Sequence, residues 1–411
     1  MKVLIVGAGI GGLTLALELQ RAGIDCQVVE ASRDLAPIGA GINLLPHASR
    51  VLARLGLEPL LAGVAVQTRE SAFFNRFGQH IYTEPAGRAA GYEHPQFSIH
   101  RGDLQEILLG AVHDRLGERA VSLGRRVLGV TEAPAGPIAH TVGVAGDVVD
   151  LKGDVVIGCD GVHSAIRRQL YPDEGEPRYS GVNMWRGVTW WRPVLSGATM
   201  VRAGWLAHGK MVIYPVRREL DDDGLQMTSW VAEVQTPQHA DRSWDRTGRL
   251  ADFIGHFEDW HFDWLDVPRM IRSTPSILQY PMVDQEPLQR WTFGHVTLLG
   301  DAAHPMVPRG SNGAAQAILD AQALAQALVR EADPASALAA YEAERRPASN
   351  AVVLANRRTP PDAILREVWE RTGDRPFTDI DDVISRAELA ALTDRYKHVA
   401  GYGLEQLEVT D

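Results

Sequence analysis

Val3-Leu4-Ile5-Val6-Gly7-Ala8-Gly9-Ile10-Gly11-Gly12-Leu13 stands near the start of the chain, and Val28-Val29-Glu30 completes the pattern. Four apolar residues in a row read as a buried parallel strand. Gly7, Gly9 and Gly12 then keep the G-x-G-x-x-G spacing, with Gly11 inside the same loop. The first glycine permits a tight turn, the second lets a pyrophosphate approach the backbone, and the third lets the next helix pack close to the sheet. That helix, over 13–22, aims its N–H groups and positive dipole end at the phosphates. Gly23 ends it. A second strand over 26–29 delivers Glu30 about twenty residues beyond the loop, where an acid binds ribose hydroxyls. Strand, glycines, helix, strand and acid in that order predict a dinucleotide site. The competing reading is a secretory or membrane segment. It has only Lys2 as an n-region, lacks a small-residue cleavage site, and is interrupted by Glu18.

The 411 residues allow two or three domains, and a hydrophobic fraction of 45% supplies an ordinary core. A net charge of −11 argues against nucleic acid or an anionic membrane surface as partner. Lysine occurs only at Lys2, Lys152, Lys210 and Lys397, a compositional bias toward arginine. Cys26 and Cys159 sit in apolar, strand-like surroundings, as free thiols of a cytoplasmic protein would. No stretch reads as a membrane span or an internal repeat.

Beyond the second strand, Gly39-Ala40-Gly41-Ile42 reads either as a plain turn or as a place where something flat approaches the backbone. Helical structure is expected over 47–62, with Gly56 ending its first part, then alternating strands over 68–82 with a turn at Gly78, and a helix from Arg101 with Asp103 as cap. Short strands follow over 127–132, 139–144 and 148–151. A fully apolar strand, Val155-Val156-Ile157-Gly158, then enters Asp160-Gly161 without a second glycine fingerprint. Between 180 and 273, aromatic and β-branched residues predict an antiparallel sheet, with Asp221–Gly224 as a solvated hairpin tip. His256 and His261 are five apart, off a common helix face and without a third ligand, so no metal site is expected.

The strand Val296-Thr297-Leu298-Leu299 leads into a second loop, Gly300-Asp301-Ala302-Ala303-His304-Pro305-Met306-Val307-Pro308-Arg309-Gly310-Ser311-Asn312-Gly313. Open α/β sheets bind ligands at the carboxyl ends of their strands, so Asp301 is placed to hold a sugar-alcohol hydroxyl or to cap a turn. Pro305 and Pro308 stiffen the loop. Gly310, Gly313 and Ala314 leave N–H groups uncovered at a helix start, where negative charge is stabilised, as on a reduced flavin.

With Gly7-x-Gly9-x-x-Gly12 and Glu30, Asp160-Gly161 with Arg167, and Gly300-Asp301-Ala302-Ala303-His304-Pro305, the chain resembles the FAD-dependent class A aromatic hydroxylases, which share the fold of para-hydroxybenzoate hydroxylase. The stretches 95–102, 184–189, 277–284 and 310–320 resemble the branch that hydroxylates phenazine carboxylates. The resemblance implies an α/β fold: a Rossmann-like FAD-binding domain (1–67, 98–179, 276–350), an interleaved antiparallel-sheet substrate domain (68–97, 180–275), and a C-terminal helical region (351–411). It implies that Glu30 and Arg33 hold the adenosine ribose and its surroundings, and that Arg101 reaches the FAD ribose or pyrophosphate. Asp160-Gly161 would serve FAD and transient NADH or NADPH, Asp301 the ribitol, and Gly41, Pro305 and Gly310–Ala314 the isoalloxazine. Many members carry Gly-Gln-Gly where this chain has Gly310-Ser311-Asn312-Gly313, which leaves the backbone role intact and the side-chain role open.

The implied reaction is monooxygenation: NAD(P)H reduces the flavin, O2 adds at C4a, and the distal oxygen attacks an electron-rich aromatic or heteroaromatic ring. A reductase of the same architecture without oxygen insertion is the alternative. Trp185, Tyr214 and Trp230 offer flat walls for the substrate and Arg186 a partner for its carboxylate, unless the aromatics are core and the arginine bridges domains. No catalytic base emerges. A monomer or homodimer is expected.

Overall fold

The computed structural model describes residues 1–35, 40–134, 136–237 and 246–408. Gly39 lies outside the described residues. The apolar run forms strand Lys2–Val6, central in a six-stranded sheet. In order, its strands are 292–293, 296–298, 155–158, 2–6, 25–29 and 121–122. All neighbours pair in parallel except the outermost two. Val6 lies opposite Gly158, and Gly158 opposite Leu298, so three strands end side by side and their loops leave the same edge.

Helices Ile10–Arg21 and Gly313–Arg330 pack together on this sheet. Gly12 explains the closeness: a Cβ there would stand 2.0 Å from the carbonyl oxygen of Gly7. Gly7 itself has φ +108°, and a Cβ on it would meet the Cys159 carbonyl at 2.4 Å. Both glycines are therefore steric necessities of the turn. Gly9 differs, since a Cβ there meets nothing within 4 Å.

The second sheet has eight strands in the order 246–247, 277–284, 178–191, 226–235, 209–220, 199–205, 70–74 and 80–85. Its pairings are antiparallel except that of 199–205 with 70–74. Strand Ile277–Asp284 pairs with Arg178–Trp191, so it belongs to this sheet and not to the nucleotide-binding segment assigned from residue 276. A segment boundary at 350/351 also fails, because helix Pro334–Arg358 runs through it with Pro347 inside. The helical stretch 47–62 is two helices, Pro46–Arg54 and Glu58–Val64, and Gly56, with φ +74°, ends the first part as expected.

Helices Ala363–Thr372 and Arg386–Val399 lay Ile364, Leu365, Val368 and Leu389 against Phe73 and Ile81 at one end of the antiparallel sheet. A buried ion cluster fastens this junction. Lys210 Nζ donates to Glu233 Oε2 at 2.8 Å and also to Asp362, and all three side chains are almost fully buried. Removing one member of such a cluster strands a charge in a dry site.

Gly12→Ala is expected to lower the thermal midpoint of the apo-protein, at a cost of about 1–3 kcal/mol or more from overpacking. Gly9→Ala is expected to leave it unchanged. Calorimetry of the two variants checks the contrast.

Candidate active site

A cleft of about 360 Å3 opens between the shared strand edge of the parallel sheet and one face of the antiparallel sheet. Gly9, Gly11, Gly161, Gly300, Asp301 and Gly313 line one side, and Met184, Arg186, Val212, Tyr214 and Val231 the other. Parallel pairing thus converts two sequence motifs nearly three hundred residues apart into one surface.

Hydrogen bonds tie the loops of this surface together. Arg167, buried, donates from Nη1 to the carbonyls of Ala302 and Ala303, both at 2.9 Å, and its Nε donates to Glu174 at 2.8 Å. The loop after Asp160 thereby holds the loop after Gly300. Asp320 is fully buried. Its Oδ2 accepts from the Gly300 N–H at 3.1 Å and lies 2.6 Å from His304 Nε2, while its Oδ1 accepts from Arg345 Nε at 2.8 Å. Burial alone would raise the Asp320 carboxyl, but His304 and Arg345 bring it below the usual range.

A third anchor comes from the C-terminal helix. Asn312 Nδ2 donates to Tyr396 Oη at 3.2 Å, Tyr396 Oη donates to Asn356 Oδ1 at 2.6 Å, and Asn356 Nδ2 donates to the Val307 carbonyl at 3.1 Å. The side-chain role of the Gly310–Gly313 variation is thus to anchor the loop from behind. Gly310 faces the same way: a Cβ there would collide with the Tyr396 hydroxyl.

Among the residues singled out from sequence, Gly9, Gly11, Gly41, Arg101, Asp301, Pro305, Pro308, Gly313 and Ala314 line the cleft, as do Arg186 and Tyr214. Gly7, Gly12 and Gly310 stand behind it as packing glycines. Glu30 braces the first loop, accepting from the N–H groups of Ala8 and Ser32, both at 2.8 Å. Arg33 is exposed and outside the cleft. Asp160 caps the next turn by accepting from the Ala165 N–H at 2.7 Å, and burial raises its carboxyl. Its neighbours 161–163, and not its own side chain, face the cleft.

Two expectations need correction. Trp185 and Trp230 are 1% and 0% exposed and lie on the sheet face away from the cleft. Trp185 stacks on Phe253 at 4.9 Å, and Trp230 Nε1 donates to Thr274 Oγ1 at 2.8 Å. Successive strand residues face opposite sides, so Trp185 and Arg186 could not share a pocket. Arg186 is partly engaged, donating from Nη2 to the Gly41 carbonyl at 2.8 Å. The sequence reading also missed Arg202, Glu233 and Arg309, which line the cleft. Alternation counted outward from Arg186 was the available signal for the strand residues.

The cleft fits FAD. Gly9 leaves open space where a Cβ would stand, and Gly41 closes on Tyr214 so tightly that a Cβ would lie 2.5 Å from its ring. Arg101, Arg186, Arg202 and Arg309 line the cleft with no ion pair among the described residues, although the whole chain is acidic. Such a cleft attracts anions, the FAD pyrophosphate among them. Removing the Tyr396 hydroxyl with Tyr396→Phe is expected to cost about 1–3 kcal/mol, leaving Asn312 unsatisfied. Thermal unfolding reads that loss, and weaker retention of FAD on dialysis accompanies it.

Residues 1–356 match the family model described as FAD binding domain. The chain is 40% identical over 403 residues to the phenazine 1,6-dicarboxylic acid hydroxylase PhzS of Lysobacter antibioticus, covering 97% of this chain and 96% of that one. It is 35% identical over 356 residues to a 3-amino-4-hydroxybenzoate 2-monooxygenase of Streptomyces cremeus, covering 84% of each. The structure is similar to that of Klebsiella pneumoniae HpxO complexed with FAD and uric acid, with TM-score 0.74, 25% identity, and coverage of 99% of this chain and 94% of that one. No helix among the described residues is long and apolar enough to cross a membrane. The chain belongs to the FAD-binding-domain family, and it is an FAD-dependent enzyme of the aromatic monooxygenase type.

Proposed function

We propose that the protein hydroxylates a planar, carboxylated heteroaromatic of the phenazine class, with NAD(P)H as electron donor. The observation that carries the reading is the cleft itself: two glycine-bearing loops face an apolar sheet surface flanked by unpaired arginines. The similarity to a phenazine dicarboxylate hydroxylase over nearly the whole chain supports the same class. Bound FAD supplies the redox and oxygen-transfer chemistry. The residues of the chain do the rest. Gly9 and Gly11 admit the pyrophosphate, and Arg101 neutralises it. Asp301 would hold a ribitol hydroxyl, and the N–H groups at Gly313 and Ala314 would stabilise negative charge on the reduced flavin ring. Met184, Val212, Tyr214 and Val231 form a dry floor for the aromatic ring.

No side chain on the cleft is assigned as a base, because an electron-rich ring does not require one. We place the enzyme in the cytoplasm, where Cys26 and Cys159, both free, remain reduced.

Purified holoenzyme is expected to consume O2 and NAD(P)H faster when phenazine-1-carboxylate is added, with one atom of 18O from 18O2 in the product. Stimulated NAD(P)H oxidation without label in any product would instead support a reductase. Gly9→Ala is expected to weaken FAD binding at least tenfold, read by fluorescence titration of the apo-protein with FAD, because it fills the space reserved for the phosphates.

A further inference from the structure

The cleft face of the antiparallel sheet carries a row set by strand register. Arg186 lies opposite Val231, Val231 opposite Val212, and Val212 opposite Arg202. The row therefore reads cation, valine, valine, cation across four adjacent strands, and all four side chains line the cleft. Three inter-strand steps at about 4.8 Å put the two arginine Cα atoms roughly 14 Å apart. Above the row stands Tyr214, and below it Met184 and Glu233, so the space between the arginines is mostly apolar and floored by a flat surface.

Among the described residues, neither arginine stands in an ion pair. Arg186 donates to the Gly41 carbonyl, and its buried Nε has no partner. Arg202 is 7% exposed, donates to Ser71 Oγ at 3.3 Å and stacks over the Phe73 ring. Glu233, on the same cleft face, and Asp362 both hold Lys210. A buried cation without a counterion is costly, and a ligand carboxylate removes the cost.

We propose that Arg186 and Arg202 form a two-sided clamp for a flat, fused-ring aromatic bearing two anionic groups on opposite edges. The inference rests on the hydroxylase reading of the same cleft and adds the shape and charge of the substrate. A diacid whose rings cover Val231 and Val212 offers a carboxylate to each arginine, and a monoacid leaves one of the two without an anion. Arg202 is the discriminating residue, because Arg186 also holds Gly41.

The test is binding without turnover. FAD-loaded enzyme, with no NAD(P)H present, is titrated with phenazine-1-carboxylate and with phenazine-1,6-dicarboxylate, following the flavin difference spectrum. The wild type is expected to bind the diacid at least tenfold more tightly, about the contribution of one charge-assisted hydrogen-bonded pair. Arg202→Gln is expected to abolish that preference by weakening the diacid alone, and Arg202→Lys to restore part of it. An unchanged FAD spectrum and thermal midpoint in the variants show that the fold is intact. Equal affinity for the two acids in the wild type, or a preference that survives Arg202→Gln, overturns the clamp. Either result leaves the hydroxylase reading standing, since that reading is judged separately by substrate-stimulated O2 uptake.

Discussion

Parallel hydrogen bonding across Val6, Gly158 and Leu298 is the constraint on which the site depends. Strands in register end together, so their loops must emerge at one edge. The first loop is closed by the approach of the Gly7 carbonyl to Gly12, too close for any side chain to stand between them. The third is suspended from Asp320, and Arg167 bolts the second to it. Each of these bonds is buried, where an unmade hydrogen bond costs more than a made one contributes. The loops are therefore held in place by the penalties of moving them, which gives a phosphate-bearing ligand a preorganised surface.

The antiparallel sheet works by a different rule. Its alternation separates two populations of large side chains. Trp185, Trp230 and Phe253 fill a core on one face, while Met184, Arg186, Val212, Tyr214 and Val231 meet the cleft on the other. The two tryptophans belong to a core, and among the aromatics singled out from sequence Tyr214 alone lines the cleft. The C-terminal helices then complete the enclosure. Asp362 reaches the sheet at Lys210, and Tyr396 reaches the Gly310–Gly313 loop at Asn312, so one terminal segment braces both walls. The matched family model ends at residue 356, before this bracing segment begins.

Several readings of the sequence match the structure because they depend on local sterics or period. The first strand and loop stand where the glycine spacing placed them, the helix begins at Ile10, three residues ahead of the expected start, and the hairpin tips at Gly78 and Asp221–Gly224 turn as their residues demand. Other readings could not be made locally. The expectation that strand 277–284 belongs to the nucleotide-binding segment failed because strand pairing joins residues far apart in the chain, here with 178–191. Arg202 escaped notice because no motif surrounds it; its importance arises from its position opposite Val212 and from acids that Lys210 has already claimed.

By itself, the sequence determined the dinucleotide loop, the small-residue turns and the class of cofactor, because backbone crowding and strand periodicity act over a few residues. Only the tertiary structure decided which side chains face the ligand. Whether Arg186 meets a substrate or Gly41, and whether Trp185 meets a ring or the core, depends on which sheet face is covered and by what. That is settled by long-range pairing and by the burial of charge, and neither is written in any single stretch of the chain.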